Sequence, residues 1–167
     1  MLSELEELEK NPKFKAWKLK HKNHFLSSIF SMEPDNAQFC YANSKGDRIT
    51  TICLRTGSVE ISDKEEIFKS PETKLLPLKL NEVKLSLGQA TKKAISFQES
   101  NYKQHMPQKQ IVILQNLPVG QVYNITLITT GFHILNLKVD SASGKVKEHS
   151  LTSMFDFVQK DTKDYIG

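Results

Sequence analysis

The chain has 167 residues, a formal net charge of +4, 38% hydrophobic and 25% charged residues. These are the proportions of a globular chain long enough for one ordinary domain or two small units sharing a core, and they exclude a disordered or fibrous protein. The longest apolar runs, such as residues 111–114, are strand-sized and far short of the ~20 residues of a membrane span, and so mild a basic excess does not by itself imply a nucleic-acid partner.

Residues 3–23 read as helical, with Leu5, Leu8, Phe14 and Trp17 at helix-like spacings. Asn11-Pro12 interrupts them as an N-cap followed by proline at the first helical position, which predicts two short helices. Charge is polarised: Glu4, Glu6, Glu7 and Glu9 come first, then Lys13, Lys15, Lys18, Lys20 and Lys22. The acidic start has neither the basic nor the apolar region of a secretory signal, so the expected compartment is the cytoplasm.

From Phe25 the hydrophobic period changes to about two. Strands are expected at 25–32, 37–42, 49–54 and 59–61, joined by turns at 33–36, 43–47 and 56–57, an antiparallel meander by its short connections. Residues 62–80 read as a polar, proline-containing connector, with 64–68 as a helical turn. Ser86 is then an N-cap, and Leu87, Ala90, Ala94 and Phe97 form one face of a helix ending near Tyr102. Small alanines on that face predict close packing against a sheet. Four further strands are expected at 110–114, 122–128, 133–140 and 145–149. Leu135, Leu137 and Val139 alternate with Asn136 and Lys138, the pattern of a strand with one buried face.

The run Leu135-Asn136-Leu137-Lys138-Val139-Asp140-Ser141-Ala142-Ser143-Gly144-Lys145-Val146 resembles the closing hairpin of a PepSY domain, an extended strand followed by Asp-x-x-Ser-Gly-Lys-Val. The preceding helix with Ala90 and Ala94 and the strand around Val122-Tyr123-Asn124-Ile125 match that family's order, so residues 81–158 are similar to one PepSY unit. The motif has a local reason: Asp140 accepts from the amides of its own turn, and Gly144 supplies a left-handed residue. A polar loop at 101–109 departs from the pattern. The first half repeats the plan. Gly57-x-Val59 recurs as Gly144-x-Val146 and Phe68 as Phe155, 87 residues on, while Ile52 and Leu54 recur as Leu137 and Val139, 85 residues on. The resemblance therefore implies an α+β chain of two helix-plus-antiparallel-meander units of cystatin-like form, each sheet wrapped on its helix. The units are 1–80 (with the connector) and 81–158, before a tail at 159–167. Whether the two sheets are continuous or pack face to face is open.

The sequence carries no Gly-x-Ser-x-Gly elbow, no phosphate-binding loop of the Gly-x-x-x-x-Gly-Lys type, no His-Glu-x-x-His, and only seven glycines. No catalytic residue, cofactor or metal is therefore named. His21 and His24 are three residues apart and lack an obvious third ligand, and His133 is expected at a strand rim. Cys40 and Cys53, without a Cys-x-x-Cys spacing, read first as reduced thiols near the core, with a disulfide or a metal role as alternatives.

The best candidate interaction surface is the lysine-rich run Lys13, Lys15, Lys18, Lys20 and Lys22, interleaved with Phe14 and Trp17. It serves either as an anion or nucleic-acid contact or as the solvated back of a helix whose aromatics pack on the sheet. PepSY domains are linked to binding and modulation of peptidases, so the resemblance implies a non-catalytic binding or regulatory module, here intracellular and stand-alone, with a protein or peptide partner. It would be a monomer or an edge-paired homodimer. The alternatives are an enzyme with a pocket between the two units, near Tyr123, His133 and Asp140, and weak nucleic-acid or anion binding through the basic helix.

Overall fold

The computed structural model describes residues 1–32, 37–55, 58–62, 66–67 and 75–156. The turns expected at 33–36 and 56–57, much of the connector, Phe68 and the tail at 159–167 lie outside those residues. The chain is α+β, and the strands of the described residues form a single sheet.

The N-terminal helical region divides at Asn11, as its chemistry requires. Helix α1 (Leu2–Lys10) stops where Asn11 turns extended, and α2 (Pro12–Lys20) starts with the Asn11 side chain accepting from the amides of Lys13 and Phe14. The meander follows: β1 (Phe25–Ser31), β2 (Ala37–Ala42), β3 (Arg48–Arg55) and β4 (Ser58–Ile61). A two-residue strand β5 (Glu66–Ile67) pairs with Arg48 and Ile49 of β3, where a helical turn was expected; Lys64, Glu65 and Phe68 lie outside the described residues. Strand β4 occupies the outer edge of β3 only from Ile52 to Arg55, so the edge at residues 48–49 is free to take β5. Pairing that remaining edge satisfies backbone groups that a local turn would leave unmet.

The second half has one continuous helix, α3 (Leu87–Asn101), with Ser86 and Gln89 forming a reciprocal capping box. The strands β6 (Pro107–Leu117), β7 (Gly120–Thr129), β8 (His133–Asp140) and β9 (Val146–Ser153) follow. Strand β6 begins at Pro107 and β9 runs on to Ser153, so the loop after α3 is shorter than the sequence suggested.

The strand order is β4-β3-β2-β1-β6-β7-β8-β9, with every pairing antiparallel. The two meanders are therefore one continuous sheet, joined where β1 lies along β6 through Ser28–Gln115, Ile29–Leu114, Phe30–Ile113 and Ser31–Val112. Helices α1, α2 and α3 cover the same face. Fully buried Ile29, Phe39, Ile52, Leu114, Tyr123, Ile125, Leu127, Leu135 and Leu137 point to that side, with Ala90 and Ala94 of α3 packed at 0% exposure. The apolar periodicity of α3 located these alanines and missed Gln98. That side chain is 3% exposed, and its amide donates to the carbonyls of Tyr102 and His105, closing the turn that leaves the helix.

The connector is stitched to both halves. The Leu78 amide donates to the Leu26 carbonyl on β1, the Gln121 side chain brackets both backbone groups of Lys79, and the amides of Lys84 and Leu85 donate to the Ser141 carbonyl. Tyr123 donates from its buried hydroxyl to the Leu85 carbonyl at 2.7 Å. The β8–β9 turn is built as its sequence dictates. Asp140 Oδ1 accepts from the amides of Ala142 and Ser143 and from the Ser143 hydroxyl, and Gly144 sits at φ +75°.

Alanine at position 94 lets α3 lie directly on the sheet. Ala94→Leu is expected to cost about 1–3 kcal/mol by overpacking. The urea unfolding midpoint measures it, and an exposed control such as Lys92→Leu is expected to shift by less than about 0.5 kcal/mol.

Candidate interaction surface

Helix α2 turns one face inward. Phe14 is buried and stacks with Trp17 at 6.0 Å between ring centroids; Phe14 and Trp17 meet Tyr41 of β2 at 5.6 and 5.3 Å. His21 lies flat against Trp17 at 4.6 Å, and the His24 ring stands edge-on to His21 at 5.0 Å. The two histidines are thus parts of an aromatic cluster. His21 Nδ1 lies 2.8 Å from the Trp17 carbonyl oxygen, a hydrogen bond that ties the ring to the helix end.

The five lysines do not act alike. Lys18 folds inward: its ammonium lies 4.9 Å above the Tyr41 ring and donates to the His24 carbonyl. Desolvation there pulls its pKa below the ordinary lysine value. Tyr41 is pushed well above the usual tyrosine range by burial and by the nearby charge of Glu9. Lys13, Lys15, Lys20 and Lys22 are exposed, as is Leu19 at 69%. Beside the helix an open groove of about 560 Å³ is lined by Glu9, Phe14, Lys15, Lys18, Leu19 and Lys22.

None of α1, α2 and α3 lies over the opposite face of the sheet. Reading across it from one edge to the other, Glu60, Cys53, Gln38, Phe30, Ile113, Asn124, Lys138 and Glu148 form a single row of paired positions. Over its first half lies a shallow basin of about 550 Å³ that includes Ser28, Phe30, Gln38, Cys40, Cys53 and Ile113. Cys40 and Cys53 are half-buried thiols, not joined in a disulfide. Cys40 pairs with Thr51 and Cys53 with Gln38, so the two are diagonal neighbours rather than partners. Diagonal positions of a sheet are about 7–8 Å apart, beyond easy disulfide reach. Burial pushes the Cys53 thiol pKa up, against which the Arg55 charge works only partly. The positions of the thiols follow from register, which composition does not contain.

The residues considered for a catalytic pocket are not gathered in one place. Tyr123 points into the core, and burial pushes its hydroxyl pKa up to about 12. Asp140 lies in the β8–β9 turn, and Lys147 approaches its other oxygen at 3.0 Å. Partial burial opposes the charge, but the hydrogen bonds from Ser143, Lys147 and Ala142 outweigh it and hold the carboxyl well below the usual range. His133 is at the far end of β8, about 23 Å from Asp140 by the strand rise. Its ring stands edge-on to His105 at 4.7 Å, and its Nδ1 is buried without a partner among the described residues. Nearby, the Tyr102 hydroxyl lies 2.7 Å from His149 Nδ1. Among the described residues no group of three or more His, Cys, Asp or Glu is placed to hold a metal ion, and no helix is long and apolar enough to cross a membrane.

No family model matches the chain, and no curated protein matches it. Among solved structures, the chain is similar to the crystal structure of a "putative lipoprotein" from Clostridium difficile 630, with a TM-score of 0.55 at 17% identity over 84% of this chain and 90% of that one. At that identity the likeness is one of fold.

Two measurements separate structural charges from surface ones. Because Asp140 titrates lower folded than unfolded, its ionised form contributes stability that is present above the unfolded value near pH 4 and is lost as pH falls through the folded value. Asp140→Asn is therefore expected to lower stability by about 2 kcal/mol at pH 7, with the gap closing below about pH 4 in urea titrations. Lys18→Ala is expected to cost about 1 kcal/mol through its lost carbonyl and ring contacts, and Lys20→Ala less than about 0.5, in the same assay.

Proposed function

We propose that this chain is a non-catalytic binding module of PepSY-like build, a tandem pair that presents its uncovered sheet face to a protein partner. The observation that carries the reading is the one-sided covering of the sheet. Among the described residues, helices α1, α2 and α3 lie on one face, while half-buried Phe30, Ile111, Ile113, Ile128 and Ile134 lie on the other among polar neighbours. A sheet face with that much aliphatic surface, left open by α1, α2 and α3, suits contact with another chain.

Register supports the tandem part. Matching Ile52 and Leu54 with Leu137 and Val139 lays the pair Leu54–Val59 on Val139–Val146, and Phe39–Ile52 on Ile125–Leu137. Carried inward, the same correspondence matches Ile29 with Val112 and Ser31 with Leu114. It then exchanges the two junction pairs, Ile29–Leu114 and Ser31–Val112, as a local two-fold axis between β1 and β6 demands. Two copies of one meander, fused edge to edge, produce such a register without further assumption. An enzyme cleft between the halves has no comparable support, since Ile29, Val112 and Leu114, at 0–2% exposure, fill the place where the halves meet.

The test is site-specific photo-crosslinking in the native cell. A photoreactive residue at Ile113 is expected to capture a discrete protein, and one at exposed Lys92 on α3 is not. Ile113→Lys is expected to abolish capture while leaving the melting temperature within a few degrees. Equal capture at both positions, or none at Ile113, overturns the reading.

A further inference from the structure

A second surface lies on the helical side. Helix α2 has one apolar stripe turned to the core and another turned to solvent. Phe14 and Trp17 face inward. Pro12, Ala16 and Leu19, spaced four and then three, fall on the opposite side of a 3.6-residue helix, and all three are exposed. Lys13 and Lys20 flank this outer stripe on one side, and Lys15 and Lys22 flank it on the other, Lys22 lying just past the helix end. The segment from Pro12 to Lys22 contains no acidic residue. The carboxylates of α1 precede the bend at Asn11, and Glu9 borders the groove on the Lys15 and Lys22 side.

From this arrangement we propose that the outer face of α2 docks on an anionic lipid bilayer surface. Core packing accounts for Lys18, Phe14 and Trp17, and for none of the other four lysines nor for Leu19. A solvated back would be served by polar residues at positions 12, 16 and 19; instead a leucine stands 69% exposed between two rows of lysines. Lysine stems lie along apolar surface while their ammoniums reach outward to lipid phosphates, and a narrow apolar stripe between them enters the headgroup region. Each lysine near an anionic leaflet adds attraction that a neutral leaflet does not provide, so four act together. A nucleic-acid backbone would use the lysines but offers nothing to Pro12, Ala16 and Leu19, and for that reason the lipid surface is the better match. The helix is nine residues long, so the contact is peripheral and reversible.

Vesicle flotation with the whole chain tests this. Partitioning onto phosphatidylcholine vesicles containing about a third phosphatidylserine is expected to exceed that onto phosphatidylcholine alone by roughly tenfold or more, and to fall as salt rises. Leu19→Glu is expected to cut binding by about tenfold or more, as is the pair Lys13→Glu and Lys20→Glu. Circular dichroism checks that each variant is folded, which the exposure of these positions favours. Leu19→Trp is expected to bind like the parent and to show a blue shift in emission, relative to the parent's Trp17 signal, only with anionic vesicles. Equal partitioning onto neutral and anionic vesicles overturns the proposal. So does unchanged binding by folded Leu19→Glu, and so does salt-sensitive retention of duplex DNA that matches vesicle binding and ignores Leu19→Glu. Ile113→Lys, on the other side of the sheet, is expected to bind vesicles as the parent does, which keeps this test separate from that of the protein-binding face.

Discussion

The antiparallel alignment of β1 with β6 is the contact on which the rest of the molecule depends. Its four residue pairs place Ile29 beside Leu114 on the covered face and Phe30 beside Ile113 on the open one. Without it, each meander would end in an unpaired central edge, with a row of backbone donors and acceptors seeking another strand. With it, the cores beneath α2 and α3 become one layer, and β1 is enclosed by β2 and β6. The connector reinforces the join: Leu78 hydrogen-bonds β1, while Lys79 is held by Gln121 of β7.

That join also explains the two different helical coverings. In the second half a single long helix lies low on the sheet because Ala90 and Ala94 present no bulk. In the first half the chain breaks at Asn11-Pro12, and two short helices reach the sheet through large side chains, with Phe14 and Trp17 meeting Tyr41. A helix held off by aromatics keeps more of its own circumference in solvent. This is why α2 can pack a core face and still present Leu19 and four lysines outward. The molecule thus has two surfaces of different chemistry: a half-buried sheet face, apolar at Phe30 and Ile113 with charges toward its edges at Glu60, Lys138 and Glu148, and a cationic helix edge with an apolar stripe.

Among the described residues the histidines meet in local ring contacts, and no three of the His, Cys, Asp and Glu side chains are placed to hold a metal ion. Asp140 is consumed by its own turn, where three donors from Ala142 and Ser143 and the nearby Lys147 ammonium hold it ionised. His21 and His24 belong to the aromatic cluster around Trp17, and His133 stacks edge-on to His105 at the far end of β8. Asp140 and His21 thus spend hydrogen bonds on local backbone groups, while His133 Nδ1 is buried without a partner among the described residues.

Local rules made much of this legible beforehand. The break at Asn11-Pro12, the Ser86 cap, the alanine face of α3 and the Asp140-to-Gly144 turn each depend on residues within a few positions of one another, so the sequence by itself determined them. The alternation of Leu135, Leu137 and Val139 likewise assigned the buried face of β8. What only the tertiary structure decided was non-local. A strand pattern states which side is apolar but not which strand lies alongside, because pairing energy is much the same for any two such edges. Hence the continuity of the sheet through β1 and β6, the capture of residues 66–67 by the spare edge of β3, and the diagonal placement of Cys40 and Cys53 were invisible until register was known. The lysines show the same division. Their number and order were plain in the sequence, but that Lys18 turns inward to Tyr41 and His24 while the other four surround Leu19 depends on where β2 lies under the helix.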